Sequence, residues 1–439
     1  MSKANESTAR DLINDESGYE AHSPALSYHF SQSEVEFNFQ WIAGSISTGG
    51  CELGEAFLTA QKIEDLKNNI VATPERWQTE WQAIAKRKEE MAVKSATQGH
   101  TVSARDAYLK ASNYYRSALI SMLPYDRKAP DIKNETFFKV GKKYKECFKE
   151  AAKLMTPPAE FFEAPLVLED GSTADVPMPC YFVQPDDSNT PKPTLMMVGG
   201  GETYMEEMFI YIAPFALARG YNFLTFDLPG QGLLPTHGDG YKFRKDTETQ
   251  IASILDEAIH RFSAIDPNRI VSFGISNGGY FLPRAATVER RIRALAVSNA
   301  VVDNYKMFQE MPFATSTPSE IEQWDDFKYN VTAAVAYRWG TDIKGQVEAT
   351  KDFQFDPSLI ECPCLAFVSS GELSGEAERQ QYEFMEKISL NEKSDKRFNK
   401  MIISDEHLGA ISHCIGENRS YMAQVLFDWF DEVLTKSEK

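Results

Sequence analysis

Apolar and polar positions follow two different rhythms along this chain, and the change falls close to residue 160. Before it, large apolar groups recur at three- and four-residue intervals, as in the segment 75–85 with Trp77, Trp81 and Ile84, and again over 103–111 with Ala104, Tyr108 and Ala111. That spacing puts them on one face of a helix and predicts about four or five helices between 54 and 155. Trp77, Trp81, Tyr108, Tyr114 and Tyr115 are read as the core of this helical unit. After Pro157, Pro158 and Pro165 the pattern shifts to short apolar runs separated by turns. Runs at 165–168 and 180–183, with Asp170-Gly171-Ser172 between them, read as an antiparallel hairpin. Strands are then predicted at 194–198, 223–226, 270–273, 294–298, 364–368 and 400–403. Helices are predicted over 210–217, 247–262, 376–388 and 418–434.

Strands alternating with helices imply a mostly parallel sheet covered on both faces. With an antiparallel start, the array predicts an α/β class protein of α/β-hydrolase architecture. At 439 residues the chain can bury one large α/β domain and a second helical unit. The expected division is a flexible tail over 1–30, an N-terminal helical cap domain over 31–160 and a catalytic domain over 161–439. Residues 303–356 break the strand and helix rhythm, with a helix expected around 331–338. An insertion there would lie over the carboxyl ends of the strands, where open sheets bind ligands, and is a candidate lid.

Charge and composition narrow the function. The formal net charge is -18 and no dense Lys/Arg block is present, which disfavours a nucleic-acid partner. No apolar run follows a basic start, and no stretch reaches the length of a membrane span. A soluble, cytoplasmic protein acting on a small molecule is expected, with a homodimer among its open assembly states. The six cysteines lack a C-x-x-C pair or zinc spacing, so no metal is expected and inert thiols are favoured. Cys414 stands out only because it adjoins a histidine.

The chemistry gathers around Gly274-Ile275-Ser276-Asn277-Gly278-Gly279, a G-x-S-x-G that follows the apolar run 270–273. In that context it reads as a nucleophile elbow, a strained turn that pushes the Ser276 hydroxyl into a cleft. A serine needs a histidine base and an orienting carboxylate. In elbow proteins these follow in the order Ser, acid, His, so five of the seven histidines drop out, leaving His407 and His413. His413, just before the closing helix, is favoured, with His407 as the alternative. Glu372, at the end of the strand 364–368, is the first candidate acid. Glu376 is the runner-up, and Asp405 and Asp356 are weaker. Oxyanion donors are expected from the N–H of Asn277 and from Gly200 or Gly201 in the loop Gly199-Gly200-Gly201-Glu202-Thr203. That loop fits neither a phosphate loop nor a dinucleotide fingerprint. The turn Asp227-Leu228-Pro229-Gly230-Gln231-Gly232 is read as structural.

With these pieces the chain resembles the α/β-hydrolase group containing 2,6-dihydroxypseudooxynicotine hydrolase and the polyketide-shortening hydrolases of fungal melanin and bacterial anthraquinone pathways. The resemblance rests on Trp77 to Trp81, Gly99-His100, Ser103-Ala104 and Tyr114-Tyr115-Arg116 in the helical part. In the core it rests on the stretch from Gly199 to Glu207, the Asp227 turn, the elbow and Gly409-Ala410-Ile411-Ser412-His413-Cys414. It implies a helical cap over a serine hydrolase core that needs no cofactor, with substrate between the two. Relatives commonly carry Asp and Ser where this chain has Glu202 and Thr203, and Asp more often than Glu as the triad acid. The expected reaction is hydrolysis of a carbon-carbon bond next to a ketone (retro-Claisen type), or of an acyl bond, in an aromatic or polyketide-like molecule. The alternatives are a carboxylesterase, thioesterase or acyltransferase of secondary metabolism and, in another class, a catalytically silent ligand-binding protein. Glu202, Tyr204, Glu207 and Glu310 are candidate substrate-binding residues.

Overall fold

The computed structural model describes residues 26–436. Among the described residues five helices come first: α1 (Ser33–Gly44), α2 (Leu53–Ile63), α3 (Pro74–Thr97), α4 (Thr101–Leu119) and, after the small ribbon of β1 (Tyr125–Asp126) and β2 (Ala129–Lys133), α5 (Glu135–Lys153). Local chemistry starts two of them. The Thr73 hydroxyl accepts the Arg76 N–H ahead of Pro74, and Asn134 accepts the N–H groups of Thr136 and Phe137. Trp77 and Trp81 are fully buried with ring centroids 5.6 Å apart, and the Trp77 indole donates to the Ser117 carbonyl at 2.7 Å. The predicted aromatic face is thus the inside of this helical layer.

Of the expected tail, residues 1–25 lie outside the described residues. The next few are tied down: the backbone N–H groups of Tyr28, His29 and Phe30 donate to the Glu36 carboxylate at 2.5, 3.1 and 2.7 Å, and Phe30 is buried.

The sheet has eight strands: β3 (Glu160–Ala164), β4 (Met178–Val183), β5 (Lys192–Val198), β6 (Asn222–Phe226), β7 (Ile265–Ile275), β8 (Ile292–Ser298), β9 (Cys364–Val368) and β10 (Lys400–Ile403). Their spatial order is β10-β9-β8-β7-β5-β6-β4-β3, with β4 antiparallel to both its neighbours, β3 and β6, and every other pairing parallel. The hairpin differs from expectation. Its first arm is 160–164, paired Glu160 to Phe182 through Ala164 to Met178, and not 165–168. Pro165 brings no N–H to the ladder, so regular pairing stops before it and leaves a lone bridge between Val167 and Thr173.

Central strands are buried on both faces. Along β5, Met196 and Val198 point into one apolar layer and Leu195 and Met197 into the other. Helices α6 (Met205–Leu217), α7 (Thr247–Arg261) and α8 (Gly278–Ala286) follow β5, β6 and β7. Between β8 and β9 come the short helices α9 (Asn304–Gln309), α10 (Pro312–Thr315) and α11 (Pro318–Ile321), then α12 (Asp326–Arg338) and α13 (Gln346–Ala349). Helices α14 (Gly375–Leu390) and α15 (Arg419–Lys436) complete the chain. The inserted helix α12 begins five residues earlier than predicted, capped by Asp325. Its Phe327 and Val331 enter the core of the N-terminal helices, with Phe327 5.2 Å from the Trp77 ring. Among the described residues no helix is long and apolar enough to cross a membrane.

Candidate active site

Ser276 follows β7 and precedes α8 with φ at 52°, the left-handed region that a non-glycine residue seldom occupies. Its N–H donates to the Ser298 carbonyl and its own carbonyl accepts from Gly279, both at 2.8 Å. The glycines exist for contact. A β-carbon at Gly274 would stand 2.1 Å from the Gly278 carbonyl oxygen, and one at Gly279 would stand 1.6 Å from that of Asn299. Only residues lacking a side chain let α8 come this close to the strand that feeds it.

His413 sits in the loop between β10 and α15, and its Nδ1 is hydrogen bonded to the Glu372 carboxylate from the turn after β9. Both are buried. Burial by itself would raise the Glu372 carboxyl, but the His413 charge and hydrogen bonds from His413, Ser369 and Asn299 hold it below the usual carboxylate value. For His413, burial opposes the charged ring; the Cys414 and Glu372 side chains outweigh it and hold the imidazole well above its ordinary value. The histidine loop is pinned from outside as well. Glu417 accepts the N–H groups of Ile411 and Ser412 at 2.7 and 2.6 Å, and the Ser412 hydroxyl donates to Gln40 of α1 at 3.1 Å. Buried Cys414 donates its thiol to the Ser298 carbonyl at 3.3 Å, a packing role.

Ser276, Asn277, Gly201, Glu202 and His413 face a cavity of about 180 Å³ whose apolar walls include Met307, Phe308, Met311, Phe313, Trp324 and Val335, with Glu34, Lys328 and Gln346 also on the wall. A smaller space of about 60 Å³ shares Ser276 and His413 and is bounded by Phe37, Trp41, Arg116, Gly200 and Glu207. The inserted helices therefore form much of the larger wall, and the N-terminal helices much of the smaller one.

The remaining sequence candidates fall in different places. Glu202 lines both spaces, and Glu207 lines the smaller one with its carboxylate engaged by Trp41 and Arg116 at 2.6 and 3.0 Å. Tyr204 is on neither wall: it is buried against Tyr144, under the cations of Arg116, Lys145 and Arg338. Glu310 is also off both walls; its carboxylate accepts the Glu376 N–H at 2.6 Å, where α14 begins. The Glu376 carboxylate accepts from Gln380 at 2.7 Å, and Glu372 is the carboxylate that meets His413. His407 lies exposed on a 3-10 turn. Asp227 accepts the Met205 N–H at 2.7 Å and pairs with Lys145 at 3.2 Å, as a structural turn residue would.

Several contributors carried no signal in the sequence pattern. Gln231 sits inside the turn read as structural, yet its amide donates to the carbonyls of Gly199 and Gly200 at 2.8 and 2.9 Å. Asn299 bonds the Glu372 carboxylate. Trp41, Arg116 and Phe37 come from the helical layer, the Phe37 ring lying 6.4 Å from that of His413. Among the described residues no group of three or more His, Cys, Asp or Glu side chains is placed to hold a metal ion.

A mostly parallel sheet with a strained serine between β7 and α8, and a histidine after the last strand, defines the α/β-hydrolase fold. The chain belongs to the esterase FrsA-like family, whose model matches residues 60–318. It is 31% identical over 307 residues to the alpha/beta hydrolase xenA of Xenoacremonium sinensis, covering 68% of this chain and 66% of that one. It is 30% identical over 286 residues to the 20-hydroxy-prefusarin hydrolase FUS2 of Gibberella moniliformis, covering 63% of each. The matched stretch thus spans just under two thirds of each relative's length. Among solved structures, 2,6-dihydroxy-pseudo-oxynicotine hydrolase shares the fold with a TM-score of 0.63 at 22% identity, covering 90% of this chain and 96% of that one. AbyA5 does so with a TM-score of 0.57 at 15% identity, covering 92% and 99%.

Proposed function

We propose that the protein is a serine hydrolase that cleaves a carbon-carbon bond next to a ketone, or an acyl bond, in an aromatic or polyketide-like small molecule. One observation carries this reading: the left-handed Ser276 and the Glu372-paired His413 face the same apolar cavity. A neutral His413 takes the Ser276 proton as the hydroxyl oxygen attacks the substrate carbonyl, and Glu372 stabilises the imidazolium that forms. The N–H of Asn277 and one from Gly200 or Gly201 face the oxygen as it gains charge. Collapse of the tetrahedral adduct breaks the bond beyond the carbonyl. The departing electron pair stays on the leaving carbon, as an enolate or phenolate-stabilised carbanion, or on an ester oxygen, and the proton on His413 moves to it. Water, deprotonated by His413, then releases the acyl group from Ser276 as a carboxylic acid. The aromatic and methionine-rich wall supports a ring-bearing substrate, and the name of one relative, 20-hydroxy-prefusarin hydrolase, supports a small-molecule substrate.

A fluorophosphonate probe tests the nucleophile: it should label Ser276, and Ser276→Ala should not be labelled. Product analysis tests the bond. A carboxylic acid with a shortened ketone or arene marks carbon-carbon cleavage, whereas an acid with an alcohol or thiol marks ester or thioester hydrolysis. Absence of labelling on folded wild-type protein would leave a binding protein on a hydrolase fold.

A further inference from the structure

The loop 199–203 is held by its carbonyls. Gln231 binds those of Gly199 and Gly200, the Thr203 hydroxyl adds a second bond to Gly200 at 3.1 Å, and the Arg116 guanidinium binds that of Glu202 at 3.1 Å. In a trans peptide the carbonyl and the following N–H point in opposite directions. Pinning the Gly199 and Gly200 carbonyls therefore turns the N–H groups of Gly200 and Gly201 away from Gln231. The loop lies directly on the nucleophile, since a β-carbon at Gly200 would stand 2.6 Å from Ser276 Oγ.

Three of these four bonds come from residues of the catalytic layer. The fourth comes from α4 of the helical layer, 86 positions from Glu202 in the chain. Arg116 is buried, and its Nε donates to Glu207 at 3.0 Å, so one rigid fork ties the end of the loop to the first turn of α6. Trp41 of α1 holds the other oxygen of the same Glu207 carboxylate at 2.6 Å. The Arg116 cation also lies over the Tyr204 ring, 4.9 Å from its centroid, a cation–π contact beside the two hydrogen bonds. Burial disfavours the guanidinium charge, and the neighbouring Glu207 and Glu202 more than compensate.

We infer that Arg116 is a positioning residue for the oxyanion loop: it belongs to the helical layer, yet it holds the Glu202 end of the loop whose Gly200 and Gly201 N–H groups face the reacting oxygen. The inference rests on the reading of Ser276 as nucleophile. A planar fork is needed because a lysine ammonium in the same pocket cannot serve the Glu202 carbonyl and Glu207 in one orientation.

Fluorophosphonate labelling of the full chain tests this without knowledge of the substrate, because phosphonylation develops negative charge on an oxygen held by the same donors. Arg116→Lys and Arg116→Ala should lower the maximal labelling rate about tenfold or more while leaving the half-saturating probe concentration within about twofold. Methylguanidinium should restore part of the rate in Arg116→Ala and none in Ser276→Ala. Glu207→Gln keeps the shape and removes the charge that orients the fork, and should lower the same rate by a smaller factor; it carries the test if Arg116→Ala fails to fold. Folded Arg116→Lys and Glu207→Gln proteins that label at the wild-type rate overturn the inference and leave the Ser276 reading standing. Wild-type protein with no label on Ser276 overturns the nucleophile reading itself.

Discussion

A β-carbon on Gly200 would stand 2.4 Å from the β-carbon of Ser276, so the glycine is where the loop 199–203 and Ser276 meet. Gly200→Ala should push the loop or the serine aside and lower labelling and turnover about a hundredfold or more, the scale seen when an oxyanion donor is lost. Labelling kinetics beside a thermal melt will separate this from unfolding. A Gly200→Ala protein within about threefold of wild type would show that the loop can retreat without cost.

The Glu372 and His413 pair makes a signed prediction for pH. A protonated ring cannot accept the serine proton, and His413 is held above its usual value of 6.5, so the labelling rate should rise with pH along a limb set above 6.5. Glu372→Gln removes a carboxylate that keeps the proton on the ring. The limb should move to lower pH while the plateau falls by about 10² to 10⁴. A limb that stays in place would separate Glu372 from His413 in function. For folding the signs differ. Lowered Glu372 contributes stability above its usual 4.5 that is lost as pH falls, and raised His413 contributes below 6.5 and loses it as pH rises through the folded value. The pair should therefore help most between 4.5 and 6.5, and urea melts of wild type against Glu372→Gln across that range will show whether it does.

Met311 and Trp324 line the larger space beside Ser276. Met311→Ala and Trp324→Ala should raise KM for aryl-acyl esters by about tenfold and change acetate ester hydrolysis little, since lost apolar contact is felt only by groups that reach it. Equal loss on both substrates would place these side chains in folding rather than recognition.

Lys145 of α5 bonds Glu206 and Asp227, at 3.0 and 3.2 Å, and both carboxylates are buried. Lys145→Met leaves them without their cation and should cost about 3 to 5 kcal/mol, read by denaturant melts. A loss below about 1 kcal/mol would show that water replaces the ammonium.

Parts of this site are legible in the sequence because the physics that makes them is local. The elbow needs Gly274 and Gly278 two residues either side of the serine and Gly279 against Asn299, so it leaves a compact pattern. Strands β9 and β10 follow their apolar runs residue for residue, since each is a short segment between turns, β9 fully buried and β10 a half-buried edge strand. The first arm of the hairpin differs from expectation because it buries only Phe162 and the small Ala164, beside exposed Phe161 and Glu163, while the more apolar 165–168 begins with a proline. Arg116, Trp41, Gln231 and Asn299 are illegible for another reason. Each acts through a few hydrogen bonds to residues distant in the chain, and contacts of that kind impose no period and no spacing. Tyr204 and Glu310 were drawn toward the cleft by their neighbours in sequence, but α6 turns Tyr204 into the helical layer and Glu310 is occupied at the start of α14.

The inserted helix α12 is sewn in at both ends: Phe327 and Val331 sit in the N-terminal helical core, and Arg338 donates to the carbonyls of Gly230 and Gly232 at 2.8 and 3.1 Å. A roof fastened in this way cannot swing on one hinge, so whatever admits substrate must be a breathing of the helical layer and the insertion together, or a channel along their seam. The two layers are for the same reason poor units of exchange. A catalytic half cut free near residue 160 would lose Trp41 and Arg116 and bare the apolar face of its own roof, so new specificity is more readily reached by changing wall residues than by swapping layers.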